Sequence, residues 1–123
     1  MLFDSNLIIY AARPECEDLR DLIAQEAPSV SAVSKVETLG YPELSEQETR
    51  FLEELFEVAK VLPVSESVVT EAIRPRRQRS MSLGDALIAG TALSHDVSLA
   101  THNTTDYEWI ETLGVTDPLA EKS

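Results

Sequence analysis

A single cysteine, Cys16, leaves no partner for an intrachain disulfide and no thiolate set for a metal, and it gives no sign of an oxidising compartment. Glycine and proline are scarce, 4 and 6 in 123 residues, and no tract is of low complexity, so a fibrous or disordered chain is excluded. No apolar run approaches the roughly 18 residues that a membrane span needs. Met1 leads directly into Leu2-Phe3-Asp4 with no basic segment ahead of a long apolar one, and a cytoplasmic protein is expected. Basic residues are few as well. Against 22 Asp and Glu stand 10 Lys and Arg, a formal charge of -12, which excludes a basic coat over the whole molecule as a means of binding nucleic acid while leaving room for a local patch.

What remains is a chain long enough for one hydrophobic core and too short for two. Leu2-Phe3 reads as a very short strand ending at Asp4, and Leu7 to about Ala12 as a buried helical turn. A second helix is expected over Glu15 to Glu26, a strand over Ser29 to Val33, and a helix opening at Ser34 that Gly40 and Pro42 would stop. Ser45 followed by Glu48 marks the start of an amphipathic helix. Its apolar face carries Phe51, Leu52, Leu55, Phe56 and Ala59, and its outer face Glu46, Glu48, Glu53, Glu54 and Glu57. Val61 to Val64 contains Pro63 and suits a strand at a sheet edge. Residues 66 to 73 read as a helix that the following arginine segment breaks. Leu83 to Leu93 is a buried helix, Val97 to Ala100 a strand, and Leu113 to Thr116 a last strand. Strands that alternate with helices and read as continuous apolar runs indicate an α/β fold with a parallel sheet covered on both faces.

In such sheets ligands collect beyond the carboxyl ends of the strands. Asp4 ends the first strand, Glu37 lies in the first turn of the helix after the second, Asp85 opens the buried helix, and Asp106 follows the fourth strand. Each has a plainer role available. Asp4 can cap the helix beginning near Asn6, Ser34/Glu37 and Ser82/Asp85 are capping-box pairs, and Asp106 can start a turn at Tyr107. As a set they are harder to assign to capping, because Asp4 and Asp85 sit in otherwise apolar surroundings where an acid needs a charge partner. Four of the ten basic residues, Arg74, Arg76, Arg77 and Arg79, fall within six positions, as a solubilising loop or as a contact for RNA phosphates. Trp109 and Tyr107 are read mainly as packing residues, with base stacking as the other use.

The segment Leu2 to Tyr10 resembles the opening of PIN-domain ribonucleases. Ser31-Ala32-Val33-Ser34-Lys35-Val36-Glu37 is similar to their second motif, Leu83 to Ala92 to the third, and Thr101 to Tyr107 to the fourth. The order is right, the likeness runs from residue 2 to about 117, and the length is that of VapC-type toxins. The resemblance implies a three-layer α/β/α sandwich with a central parallel sheet and a homodimer. It also implies a divalent-metal-dependent endoribonuclease paired with an antitoxin. Asp4, Glu37, Asp85 and Asp106 match the acidic positions, and Ser5, Asn6, Thr101 and Asn103 the polar ones beside them. His102 stands where the family commonly has arginine, Gly84 where proline or alanine is frequent, and Ser5 where threonine is usual.

Carboxylates about 5 Å apart repel by roughly 3 kcal/mol per pair at an effective dielectric near 20, so clustered acids need a cation to stay ionised. On this reading Asp4, Asp85 and Asp106 ligate Mg²⁺ or Mn²⁺, one ion or two, and Glu37 binds through water or orients the attacking water. Ser5, Asn6 and Asn103 would hold the carboxylates in place. His102 is not assigned as a ligand, since an all-oxygen site suits these ions without imidazole. A phosphorelay receiver domain fits poorly, because Ser5 rather than a second acid follows Asp4 and the only late lysine is Lys122. A catalytically inactive PIN-like module that binds RNA or a protein is the alternative.

Overall fold

The computed structural model describes residues 1–120. Five short parallel strands, β1 (Leu2–Phe3), β2 (Ser29–Ser31), β3 (Lys60–Leu62), β4 (Leu99–Ala100) and β5 (Val115–Thr116), form one sheet in the order β3-β2-β1-β4-β5. Helices α1 (Ser5–Ala11), α2 (Glu17–Glu26), α3 (Ala32–Leu39), α4 (Glu46–Val58), α5 (Glu66–Gln78) and α6 (Leu83–Ser94) alternate with them. The alternation of side chains along a strand divides the core into two layers. Phe3, Val30 and Ala100 face a cluster with Leu7, Ile8, Leu19, Leu52 and Phe56 from α1, α2 and α4. Leu2, Leu62 and Leu99 face the other way, against Ile88, Ala89 and Ala92 of α6 and against Tyr107, Ile110 and Leu113. The expected three-layer sandwich is the fold.

Three local expectations are corrected. Helix α3 begins at Ala32 rather than Ser34, because Ser31 ends β2 in an extended conformation and its own side chain accepts from Val33 N at 3.0 Å. Ser34 is thereby fully buried inside the helix, and the Ser34/Glu37 capping box does not exist. The helix over 66–73 continues through the arginine segment to Gln78, with Pro75 inside it. Proline removes one helical hydrogen bond, but Ala72 and Pro75 are buried and α5 packs closely on α6, so tertiary packing offsets the local cost. That packing depends on Gly90, where a Cβ would lie 2.6 Å from Val68 O and 2.9 Å from Ala72 Cβ. Finally, β3 starts one residue earlier than expected and ends two earlier, before Pro63, at the sheet edge where the proline placed it.

The strand order sets the position of the site. The chain runs outward from β1 through β2 to β3, then returns to the far side of β1 for β4 and β5. The reversal leaves a crevice at the carboxyl ends of β1 and β4, the switch point at which open parallel sheets take their ligands. Asp4 and Thr101 are the first residues past those two strand ends.

Candidate active site at the sheet switch point

Asp4 is 3% exposed, and its carboxylate is held from both sides of the crevice. Oδ1 accepts from Leu7 N at 2.9 Å, so the acid caps α1 as anticipated, while Oδ2 accepts from Thr101 Oγ1 at 2.5 Å across the β1–β4 seam. Thr101 Oγ1 in turn accepts from Asn103 N at 3.0 Å, which aims the threonine proton at Asp4. No basic side chain pairs with Asp4 among the described residues. Burial therefore raises its pKa above the usual carboxylate value; the Thr101 and Leu7 hydrogen bonds oppose the shift, and the charges of Asp85 and Glu37 add to it.

Glu37 and Asp85 are the two acids whose charge Asp4 feels, and neither acts as a reciprocal cap. Ser5 Oγ lies 2.7 Å from Glu37 Oε1 and 2.9 Å from Ser34 Oγ. Ser5 is the donor in both contacts, and its single hydroxyl proton is shared between the Glu37 carboxylate and the Ser34 hydroxyl, which accepts. The second carboxylate oxygen of Glu37 rests over Gly84, where a Cβ would come within 2.5 Å of Oε2. Asp85 fulfils half of its capping pattern, its backbone N donating to Ser82 Oγ at 3.0 Å. Its carboxylate is used differently: Oδ1 accepts from the buried Tyr107 hydroxyl at 3.0 Å. Burial, then the charges of Asp85, Asp4 and Asp106, keep that phenol protonated far above its ordinary range. The full capping box at Ser45 and Glu48, with bonds of 2.9 and 3.0 Å in both directions, marks by contrast what a purely structural acid looks like.

Asp106 ends a short 3₁₀ turn, Thr104–Asp106, is exposed, and lines a cleft of about 320 Å³ together with Asp85, Arg79 and Trp109. The crevice thus couples Asp4 to Glu37 and Asp85, and the cleft joins Asp85 to Asp106. As the side chains stand, no three acidic, histidine or cysteine groups among the described residues are close enough together to ligate one ion. The donor chemistry fits a hard divalent cation, since every candidate ligand is a carboxylate and the most buried one has no counter-charge among the described residues. Among the neighbouring polar residues, Ser5 and Thr101 hold acids directly. Asn6 is exposed, Asn103 contributes its backbone N–H, and neither carboxamide bonds an acid. His102 points elsewhere, its Nδ1 3.1 Å from Asp117 Oδ2 at the surface. Ser34 and Tyr107 are contributors that sequence reasoning passed over. Ser34 sits one helical turn before Glu37 and therefore shares its face, and Tyr107 carries a hydroxyl at a core position where phenylalanine would pack equally well.

A parallel α/β sheet with carboxylates gathered at its switch point is the architecture of a PIN-type nuclease. The PIN domain pattern matches residues 1–108, and this chain belongs to the PIN-domain family, whose members are generally nucleases. The fold is shared with solved structures of toxin–antitoxin proteins. VapBC-1 from nontypeable Haemophilus influenzae is similar at 26% identity over 94% of this chain and 96% of that one, with a TM-score of 0.73. A toxin–antitoxin complex from Klebsiella pneumoniae shares 24% identity over 95% and 96% (TM-score 0.75). VapBC2 from Rickettsia felis, solved with a DNA fragment from its promoter, shares 16% over 94% and 96% (TM-score 0.80). No curated protein matches the chain.

Proposed function

We propose that this protein is a divalent-metal-dependent endoribonuclease and the toxin of a toxin–antitoxin pair, acting in the cytoplasm. The observation that carries the nuclease reading is the buried Asp4 carboxylate, desolvated and further destabilised by Asp85 and Glu37, with no cation among the described residues to balance it. Asp4, Asp85 and Asp106 would hold Mg²⁺ or Mn²⁺, with Glu37 beside them. A bound ion would acidify the attacking water and neutralise the charge that develops at the phosphodiester. The rest falls to the chain itself. Thr101 and Leu7 N–H fix Asp4 in one orientation, and the Tyr107 hydroxyl does the same for Asp85. Glu37, exposed and oriented by Ser5, can accept a proton from water in the crevice.

The toxin reading rests on the likeness to VapBC proteins; no described helix is long and apolar enough to cross a membrane. Its partner would be an antitoxin delivering a basic side chain to the acids in competition with the metal. Val69 and Ile73, exposed one turn apart on the outer face of α5, offer apolar surface for a homodimer. Expression of the chain alone should slow bacterial growth, and Asp4→Ala should restore it. Normal growth with abundant folded protein would overturn the toxin assignment.

A further inference from the structure

The four arginines of the basic segment do not share one environment. Arg74, Arg76 and Arg77 lie on α5, where Arg74 approaches Glu71 at 3.8 Å and Arg76 Nε reaches Met81 O at 3.4 Å. Arg77 lines a separate groove with Ile73 and Thr70. Arg79 follows the last helical residue, and its backbone turns extended (φ -144°, ψ 156°), which carries it off the helix and into the wall of the cleft that holds Asp85 and Asp106. There its guanidinium lies 4.9 Å from the centroid of the Trp109 ring. The indole is itself fixed, its Nε1 donating to the backbone O of Asp106 at 2.9 Å.

We propose that Arg79, stacked on Trp109, is the phosphate-binding group of this cleft and takes the backbone of a single-stranded RNA alongside the acids. A planar guanidinium can lie on an aromatic face and still present its N–H edge, whereas an ammonium makes only one of these contacts well. Among the described residues Arg79 makes no ion pair, and it is the one basic side chain lining the cleft. The only other charged groups in the wall are Asp85 and Asp106, which repel a polyanion, so Arg79 is its one electrostatic anchor there. Trp109 acts as a positioning residue, holding the guanidinium over its ring so that little rotamer freedom is lost on binding. An unpaired strand fits because its flexible backbone can bring a phosphate to Arg79 while a base meets the aromatic surface beside it.

The inference rests on the nuclease reading for its choice of RNA, but its test does not depend on cleavage. Trp109 is the only tryptophan, so its fluorescence reports this cleft alone. In EDTA, a short oligouridylate should change that fluorescence saturably. Arg79→Gln should weaken binding about tenfold and lower the slope of log affinity against log salt by about 0.7, the loss of one phosphate contact. Arg77→Gln, on the separate groove, should change neither. Arg79→Lys should fall between, and Trp109→Phe, followed by anisotropy of labelled RNA, should retain more affinity than Trp109→Ala. Tighter binding of oligouridylate than of oligodeoxythymidylate would assign the site to RNA; equal binding would assign it to the phosphates common to both. RNA that binds without changing the Trp109 signal, or an Arg79→Gln variant with unaltered affinity and salt slope, would overturn the proposal. Arg79-dependent binding in a protein that cleaves no RNA with any divalent metal would sustain this inference while refuting the nuclease reading.

Discussion

Replacing Gly84 by alanine should raise the stability of this protein and lower its activity. Gly84 is the second residue of α6, and its backbone needs no conformation that alanine cannot adopt. At such a position alanine typically stabilises a fold by about 0.4–1 kcal/mol, through the lower entropy of the unfolded chain. The added methyl, however, would sit 2.5 Å from Glu37 Oε2, 3.1 Å from its Cδ and 3.4 Å from Oε1. Glu37 is an exposed, flexible side chain, so its carboxylate can withdraw by roughly 1 Å at little cost to the fold. The withdrawal pulls it from Ser5, which holds Oε1 at 2.7 Å. If Glu37 orients the attacking water as proposed, misplacing it by that distance should cost about 100-fold in rate. Urea denaturation in chelator and RNA cleavage in Mn²⁺, run on the same preparation, read the two effects separately. An alanine variant with unchanged cleavage would show that the position of Glu37 does not matter to the chemistry, and one that loses both stability and activity would show that Gly84 is required by packing.

Three further outcomes are expected. Tyr107→Phe keeps the buried ring but removes the donor to Asp85; because Asp85 is only half-buried and water can replace the phenol, the loss of stability should be near the low end for a charged hydrogen bond, about 1.5 kcal/mol, with weaker Mn²⁺ binding by calorimetry. A variant as stable as the parent and with the same Mn²⁺ affinity would remove Tyr107 from the site. Since the Asp4 pKa is raised on folding, the native state holds that proton to higher pH than the unfolded chain does. Metal-free stability should therefore fall as pH rises from about 4 through the folded-state value, and Asp4→Asn should flatten that part of the profile; a profile unaltered by Asp4→Asn would contradict the assigned burial cost. Gly90→Ala should destabilise by more than about 1 kcal/mol, as overpacking between α5 and α6, whereas equal thermal stability would mean that the two helices can separate freely.

Much of the fold was legible because its signals are local. The apolar pairs of β1 and β4, the Ser45/Glu48 box and the all-round apolar α6 need only neighbours in sequence to be read. The errors fell where distant residues overrule local ones. Pro75 promises a helix end until Ala72 and Pro75 are buried on α6, and Ser34 reads as a cap until Ser31 takes that role and Ser34 turns inward to Ser5. In the site, the four acids were visible as acids at strand ends. Their differing supports were not, because the Thr101–Asp4 and Tyr107–Asp85 bonds span 97 and 22 residues. Nor does spacing distinguish Arg79 from Arg77. Only the extended backbone after Gln78 separates them.

Whether the acids act through a divalent cation is tested most directly by Asp85→Asn. Asparagine keeps the shape of the side chain, the backbone bond to Ser82 and an oxygen for the Tyr107 hydroxyl, while removing one negative charge from beside Asp4. Cleavage of a structured RNA should be measured for both proteins in Mn²⁺, in EDTA, and after Mn²⁺ is restored in excess. The parent should cut, stop and resume, and Asp85→Asn should be inactive throughout while its stability in EDTA equals or exceeds that of the parent. Cleavage by the parent that persists in EDTA, or by Asp85→Asn at the parent's rate, would contradict the metal-dependent mechanism.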